Sequence, residues 1–512
     1  MTTHFINNQR VAGSTGETIP VLDPSDGQVF AHLARGNGED IRKAVAAARK
    51  AADGGAWSQL APVERGRLMH KLSDALLAHH EELWRLEMRD CGKPVKQAKA
   101  DATAIARYFE YYAGACDKLH GDTIPYTPGY AVMTFYEPHG VTGHIIPWNY
   151  PMQIFGRSVG GALAVGNACV VKPAEDACLS LLRIAELAAE CGFPDGALNI
   201  VTGYGHEAGQ ALADAEGVDH ISFTGSASVG TMIAQSAAKR HVPVTLELGG
   251  KSPQIVFADA NLDEAIPTII NAIIQNAGQT CSAGSRLLIE ESAYEKVLAL
   301  VGEKIAALKV GPAAMDLDVG PLIRANQLER VNEFLAPYLS PSPRGGGARG
   351  EGAAKGNAWA SDHTLALTLP PGRREQCRIV AQGRIVADAP VTGFYAKPTL
   401  IADVPADALV AQDEVFGPVL AAMSFKDEAD AIRLANSTAY GLVAGVWTEN
   451  GGRGMRMARA VKSGQVFINN YGAGGGVELP FGGVKSSGYG REKGFEALYG
   501  FSVMKTVVVK HG

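Results

Sequence analysis

Apolar and polar positions along this chain follow two periods, and the switches between them predict its elements. After the acidic opening Gly38-Glu39-Asp40, apolar residues return at Ile41, Val45, Ala48 and Ala51, the spacing of a helix with one buried face. Residues 62–89 carry a second such stripe through Leu68, Leu72, Leu76 and Leu77. Residues 101–115 form a third helix, whose aromatics Tyr108, Phe109, Tyr111 and Tyr112 read as core packing. Strand-like runs stand at 5–10 and 18–22, and Pro20 confines the second to a sheet edge. A strand pair follows at 130–136 and 140–147, with a helix from about Met152. Further strands at 168–171, 197–201, 220–223 and 244–248 alternate with helices over 180–191 and up to about Lys239. Strand–helix–strand repetition implies an open parallel sheet, so the expected class is α/β. Alternation continues past residue 281 to about 442, and the β-branched run 502–510, lacking an obvious sheet, is a candidate for pairing with another subunit.

One segment breaks the pattern. Residues 340–374 open with Ser-Pro-Ser-Pro-Arg-Gly-Gly-Gly and continue with small and charged residues without period. Such composition buries too little apolar area to offset ordering entropy, so a mobile, disordered insertion is expected. The remaining chain is too long for one core, and 46% apolar with 20% charged residues is a globular balance for two or three lobes. A net charge of −6 without a dense basic cluster argues against nucleic acid as a partner. No basic region with an apolar core stands at the N-terminus, and the apolar run 159–171 is too short to span a bilayer and contains Asn167. Seven irregularly spaced cysteines fit reduced thiols and no zinc pattern. These features lead to the expectation of a cytoplasmic, metal-free protein with no membrane partner.

The chemistry gathers around Gln275-Asn276-Ala277-Gly278-Gln279-Thr280-Cys281-Ser282-Ala283, between a helix at 262–272 and a strand at 285–290. Cys281 thus sits at an element boundary among small and polar residues, where a ligand can reach it. A thiol there suits a nucleophile whose pKa is lowered by local dipoles or charge, although a lone cysteine is more often a small buried hydrophobe. Glu247 falls on the opposite face of its strand from Val244, Leu246 and Leu248. The turn Thr224-Gly225-Ser226 with Val229-Gly230 lets an anion approach a helix N-terminus, though on its own this glycine spacing is a weak signal.

In order and separation, Trp148-Asn149, Glu247-Leu248-Gly249-Gly250-Lys251 and Gly278-Gln279-Thr280-Cys281 closely resemble the NAD(P)-dependent aldehyde dehydrogenase superfamily, a likeness running over about 5–339 and 378–508. The resemblance implies a Rossmann-type cofactor domain (1–118 and 139–249), an α/β catalytic domain (250–477) and a small β oligomerisation arm (119–138 and 483–512) in a homodimer or homotetramer. It implies that Cys281 attacks an aldehyde and that the oxyanion is held by the Asn149 amide and the Cys281 backbone N–H, one such donor being worth ~3–4 kcal/mol. Hydride transfer to NAD would leave a thioester that Glu247 helps water to hydrolyse, and Glu247 would also serve to deprotonate Cys281. Lys172 is implied in both catalysis and cofactor binding, and Glu492 in a proton relay. The resemblance assigns Ile146, Trp148, Gly225, Ser226, Gly230 and Leu248 to the cofactor, with Lys172 and Glu175 at the adenosine ribose and Glu414 and Phe416 at the nicotinamide end. An acid at Glu175 would bind both ribose hydroxyls and repel a 2′-phosphate, favouring NAD over NADP.

Substrate signals conflict. Arg157 falls where succinate-semialdehyde dehydrogenases carry an arginine for a carboxylate, yet Gln275 occupies the place of their second arginine. Glu478 matches an acid of amino- and betaine-aldehyde enzymes, and Arg157 and Glu478 could instead pair with each other. Phe481 is a further substrate-side candidate, and the glycine-rich loop 472–476 suggests a roomy mouth for an aromatic or long aldehyde. The family also has, near the insertion, a helix reaching the nicotinamide ribose; it either survives beside the insertion or is lost. A CoA-acylating relative would tend to lack the acid at Glu247, and a non-catalytic descendant would lack Cys281, Asn149 or Glu247.

Overall fold

The computed structural model describes residues 3–339, 377–472 and 476–512; the insertion foreseen at 340–374 and the middle of the glycine-rich loop lie outside them. Five buried strands, β1 (Val141–Ile146), β2 (Ala168–Pro173), β3 (Leu198–Ile200), β4 (His220–Thr224) and β5 (Val244–Glu247), run parallel in the order β3-β2-β1-β4-β5. Their near-continuous apolar sequences reflect a sheet covered on both faces. The order reverses between β1 and β4, so a crevice opens at the C-terminal ends of these two strands. From β1 the chain runs through Trp148 and Asn149 into α1 (Pro151–Val165), and from β4 through Gly225 and Ser226 into α2 (Ala227–Ala238). Pro151 starts α1 where a missing N–H costs nothing, and Gly166 ends it at φ +111. Helix Val95–Ala115 packs on α1, where a Cβ at Gly156 or Gly160 would come within 2.9 Å of Tyr108 or Tyr112, so these aromatics do serve the core.

A second sheet holds β6 (Pro253–Val256), β7 (Arg286–Glu290), β8 (Thr399–Ala402), β9 (Val419–Phe425), β10 (Val443–Trp447) and β11 (Gln465–Ile468), parallel in the order β8-β9-β7-β6-β10-β11. Helix α3 (Leu262–Ile274) leads to the Cys281 turn, and α4 (Ala325–Leu339) lies just before the undescribed segment.

Two expectations about pairing are corrected. Strand Tyr130–Pro138 does not pair with β1, whose two edges are filled by β2 and β4. It pairs instead, residue for residue over its whole length, with Ser502–Lys510, so the tail has its partner within the chain. Within 483–512, Gly488–Tyr489 joins the cofactor sheet, antiparallel to β5, with Gly488 opposite Glu247. Among the described residues no helix is long and apolar enough to cross a membrane, and none of the cysteines is disulfide-bonded.

Candidate active site

Cys281 is presented by a strained turn. Asn276, Ala277 and Gly278 adopt consecutive left-handed conformations (φ +47, +55 and +75), each costing a non-glycine residue about 1–2 kcal/mol. Side-chain amides hold the turn in place. Asn276 Nδ2 donates to the Asn149 carbonyl (2.9 Å), Asn149 Nδ2 donates to the Gln279 carbonyl (3.0 Å), and Gln279 Oε1 accepts from the Ile323 N–H (2.9 Å). Asn149 is thereby tied to the turn from both its backbone and its side chain. Its amide carries a second hydrogen beyond the one given to Gln279, and its buried Oδ1 has no partner. Gly249 and Gly250 explain their place in the motif: a Cβ at the first would overlap Glu414 Oε2, and one at the second the Cys281 carbonyl. Cys281 itself is half-buried and packs against the apolar group Leu442, Val443 and Phe481, as do Phe467 and Tyr471.

Burial pushes the Cys281 thiol up to about 12; Arg157 pulls it down, and Glu414 and Glu247 push it further up. The lowering anticipated for a nucleophile is therefore reversed in the protein as it stands. Glu247, at the end of β5, is 2% exposed with neither carboxylate oxygen hydrogen-bonded, and a Cβ at Gly482 would lie 2.8 Å from its Oε1. Burial raises its carboxyl well above the usual range; Arg157 opposes the rise and Glu492 adds to it. The thiol feels the charge of Glu247, and burial disfavours the anion of both groups.

Behind them, buried Glu492 faces Arg157 through a 2.6 Å ion pair, and Arg157 Nη2 donates to Thr224 Oγ1 (3.2 Å). Phe481 exchanges backbone hydrogen bonds with Glu492 (2.7 and 2.8 Å) and lies under the Arg157 guanidinium, 4.8 Å from ring centre. Arg157 is thus 6% exposed and engaged by Glu492, while Glu478 stands on the surface bridged to Arg107. The pairing of Arg157 with Glu478 considered from the sequence does not form: helix α1 points the arginine inward, toward the C-terminal segment.

The crevice has the donor set for a dinucleotide. Lys172 and Glu175 stand at the end of β2, with Lys172 Nζ 3.2 Å from Glu175 Oε2. Burial pushes the Glu175 carboxyl up, but Lys172, a backbone hydrogen bond and Arg324 together hold the group below its ordinary value, so it is ionised at neutral pH. Ser226 caps α2 by accepting from Val229 N (3.4 Å). Glycine is required beside it: a Cβ at Gly225 would lie 2.5 Å from Phe223 Cζ, and one at Gly230 2.6 Å from Leu248 Cδ2. The Ile146 carbonyl accepts from Ala174 N (2.8 Å), joining β1 to the Lys172 turn. Trp148 meets Phe416 edge-on at 5.4 Å, and Phe416 holds a left-handed φ of +56. Glu414 Oε1 accepts from Gly250 N (3.0 Å), and burial raises its carboxyl to about 7.

Two residues escaped the sequence reading. Gln327 Nε2 donates to the Phe416 carbonyl (2.7 Å) and Arg330 Nη2 to that of Glu414 (2.7 Å), both from α4. The helix beside the insertion therefore survives and buttresses the loop bearing Glu414 and Phe416. A Gln-x-x-Arg spacing, which places both side chains on one helix face, was the available signal.

Residues 11–356 and 367–507 match the aldehyde dehydrogenase family. The chain is 40% identical over 507 residues to a mitochondrial benzaldehyde dehydrogenase of Antirrhinum majus, covering 98% of this chain and 88% of that protein. A crystal structure from Burkholderia cenocepacia, assigned to the aldehyde dehydrogenases, superposes with a TM-score of 0.92 at 59% identity and full coverage of both chains. An aldehyde dehydrogenase from Bacillus cereus solved in complex with NAD+ superposes with a TM-score of 0.90 at 37% identity, covering 100% of this chain and 97% of that one.

Proposed function

Because the chain belongs to the aldehyde dehydrogenase family, we propose that it oxidises an aldehyde to its carboxylic acid with NAD, through a covalent adduct on Cys281 and a thioester hydrolysed by water. The observation that carries this reading is the hydrogen-bonded pairing of Asn149 with the turn that presents Cys281, with Cys281 and Glu247 both within reach of the Arg157 charge. Cys281 Sγ forms the bond to the aldehyde carbon. The remaining amide hydrogen of Asn149 and the Cys281 N–H stabilise the oxyanion, and Glu247 is the base placed to take a proton from the thiol and later from water. Lys172, Glu175, Ser226, Trp148, Glu414 and Phe416 would hold NAD, which when bound supplies the hydride acceptor. An ionised Glu175 paired with Lys172 supports NAD over NADP, since a 2′-phosphate would meet its charge. Glu492 and Arg157 act one step back, on Glu247.

Arg157 and Glu478, the two charges considered for a substrate tail, are both engaged by protein charges. Cys281 shares an apolar patch with Phe467, Tyr471 and Phe481, which supports an uncharged aromatic or apolar aldehyde. The Antirrhinum relative's name points the same way. Exposed Phe135, Val503, Met504, Val508 and Val509 on the three-stranded tail sheet support an oligomer that covers it. NADH formation with benzaldehyde, succinic semialdehyde and betaine aldehyde tests the reading: benzaldehyde should be turned over best, and Cys281→Ser should abolish turnover. A variant that still oxidised aldehyde, or a wild type active only with CoA present, would overturn it.

A further inference from the structure

A chain of buried polar groups runs from the catalytic centre into the core of the cofactor sheet. Ser222 Oγ on β4 donates to Glu492 Oε1 (2.5 Å), and Ser158 Oγ on α1 donates to Ser222 Oγ (2.9 Å). Ser158 Oγ lies 2.6 Å from His144 Nδ1 on β1, His144 Nε2 lies 2.8 Å from Thr142 Oγ1, and Thr142 Oγ1 lies 3.5 Å from Cys169 Sγ. Ser222 and His144 are register partners on adjacent strands, and Thr142 and His144, two apart, share a face. Every member is buried.

The directions of these bonds follow from counting hydrogens. An ionised carboxylate only accepts, and each hydroxyl has one hydrogen to give. Ser222 gives its hydrogen to Glu492 and Ser158 gives its own to Ser222, so Ser158 must accept from His144 Nδ1–H. His144 is then the Nδ1–H tautomer, with Nε2 accepting from Thr142. Every donor in the series points toward one carboxylate oxygen, an arrangement in which each bond polarises the next. Burial lowers His144 to about 3, so the ring stays neutral and keeps one acceptor nitrogen. The far end is closed: burial raises the Cys169 thiol to about 12, so it is no proton source. The chain therefore orients and does not deliver protons.

We propose that Ser222, Ser158 and His144 form a positioning relay that holds Glu492 as an anion aimed at Arg157, and thereby tunes the hydrolytic step carried by Glu247. This rests on the aldehyde dehydrogenase reading above. Besides Ser222 and Arg157, Glu492 is faced by Glu247 on β5 and by the phenols of Tyr108 and Tyr112 from helix Val95–Ala115, while Arg491 and Lys493 flank it in sequence. His144 is approached by His220 and the Phe501 ring.

The test uses pre-steady-state NADH formation by the full-length enzyme with a turned-over aldehyde. In Ser222→Ala, burst amplitude should match wild type while the steady-state rate falls about tenfold, the worth of one hydrogen bond to a charged group. The acid limb of the kcat–pH profile should also move to lower pH, because a Glu492 released from Ser222 leaves more of the Arg157 charge to Glu247 and makes it a weaker base. His144→Phe should behave likewise. His144→Asn, whose amide can sit where Nδ1–H does, should stay within about twofold of wild type, a small fraction of that bond. Steady-state rates and pH profiles of Ser222→Ala and His144→Phe indistinguishable from wild type would overturn the proposal. So would equal losses in His144→Asn and His144→Phe tracking a drop in Tm, which would mark a packing role. A wild type with neither burst nor turnover would instead sink the aldehyde dehydrogenase reading.

Discussion

Alkylating Cys281 over a range of pH tests whether burial or neighbouring charge governs its reactivity. Burial is the largest influence on this thiol and moves it from 9.0 to about 12, with Arg157 too weak to reverse the shift. Three pH units correspond to about 4 kcal/mol and about a thousandfold less thiolate at pH 8 than in an unperturbed thiol. The assay is iodoacetamide labelling of the protein alone, with the Cys281 peptide quantified by mass spectrometry against a small peptide thiol. The Cys281 rate should climb about tenfold per pH unit up to pH 10 without levelling off, because only thiolate reacts. Glu247→Gln should leave the slope of this profile unchanged, since burial, the largest influence on the thiol, is untouched by that exchange. A plateau between pH 7 and 9 would refute the reasoning, as it would show a thiolate stabilised by dipoles or by Arg157 despite burial.

Other consequences follow from single sites. Gly278→Ala places a side chain at φ +75 with its Cβ overlapping the Gly417 carbonyl, so it should cost about 2–3 kcal/mol in unfolding free energy and displace Cys281, lowering kcat far more than KM changes. Glu175→Ser removes the charge facing a 2′-phosphate and should improve kcat/KM for NADP relative to NAD by about tenfold or more; an unchanged ratio would remove Glu175 from discrimination. Asp90 is fully buried with Oδ1 unpartnered, and burial raises it from 3.8 to about 7. A carboxyl raised on folding keeps its full contribution below pH 3.8 and loses stability as pH climbs to about 7. Asp90→Asn, which can still accept from Leu179 N, should therefore gain up to about 4 kcal/mol on wild type between pH 4 and 7, read by denaturant melts at each pH.

What the sequence disclosed was local. Periodicity located β1, β4 and β5 to within a residue or two, because alternation and turn residues are properties of neighbouring positions. Partner choice was hidden. Residues 130–136 have as good a strand pattern as 502–510, but only the filled edges of β1 decide that those two runs meet each other. Arg157 shows the same limit more sharply. Its charge was visible, yet whether it grips substrate or protein depends on Glu492, 335 positions away, arriving on the segment that pairs with Phe481. Gln327 and Arg330 were hidden because their partners are the backbone carbonyls of Phe416 and Glu414, 89 and 84 positions away. The thiol's acidity could not be read at all, since desolvation belongs to the folded surroundings and not to the residue.

Burial that makes Cys281 and Glu247 poor acids is also compatible with their proposed work. Each becomes an anion on losing its proton, so a dry site penalises release of either proton into water. Passing a proton from Sγ to an ionised Glu247 is different, because one negative charge is exchanged for another inside the same cavity and little desolvation cost is added. Arg157 feels both groups and stays charged, so it supports whichever of them is anionic. The site is thus arranged to suppress a standing thiolate, which would be open to oxidation or adventitious alkylation, while leaving the internal transfer available. On this argument Glu492 matters because it competes for the same guanidinium. The closer the Ser222 donor holds Glu492 to Arg157, the less of that positive charge Glu247 commands, and the stronger a base Glu247 becomes for the water that must cleave the thioester.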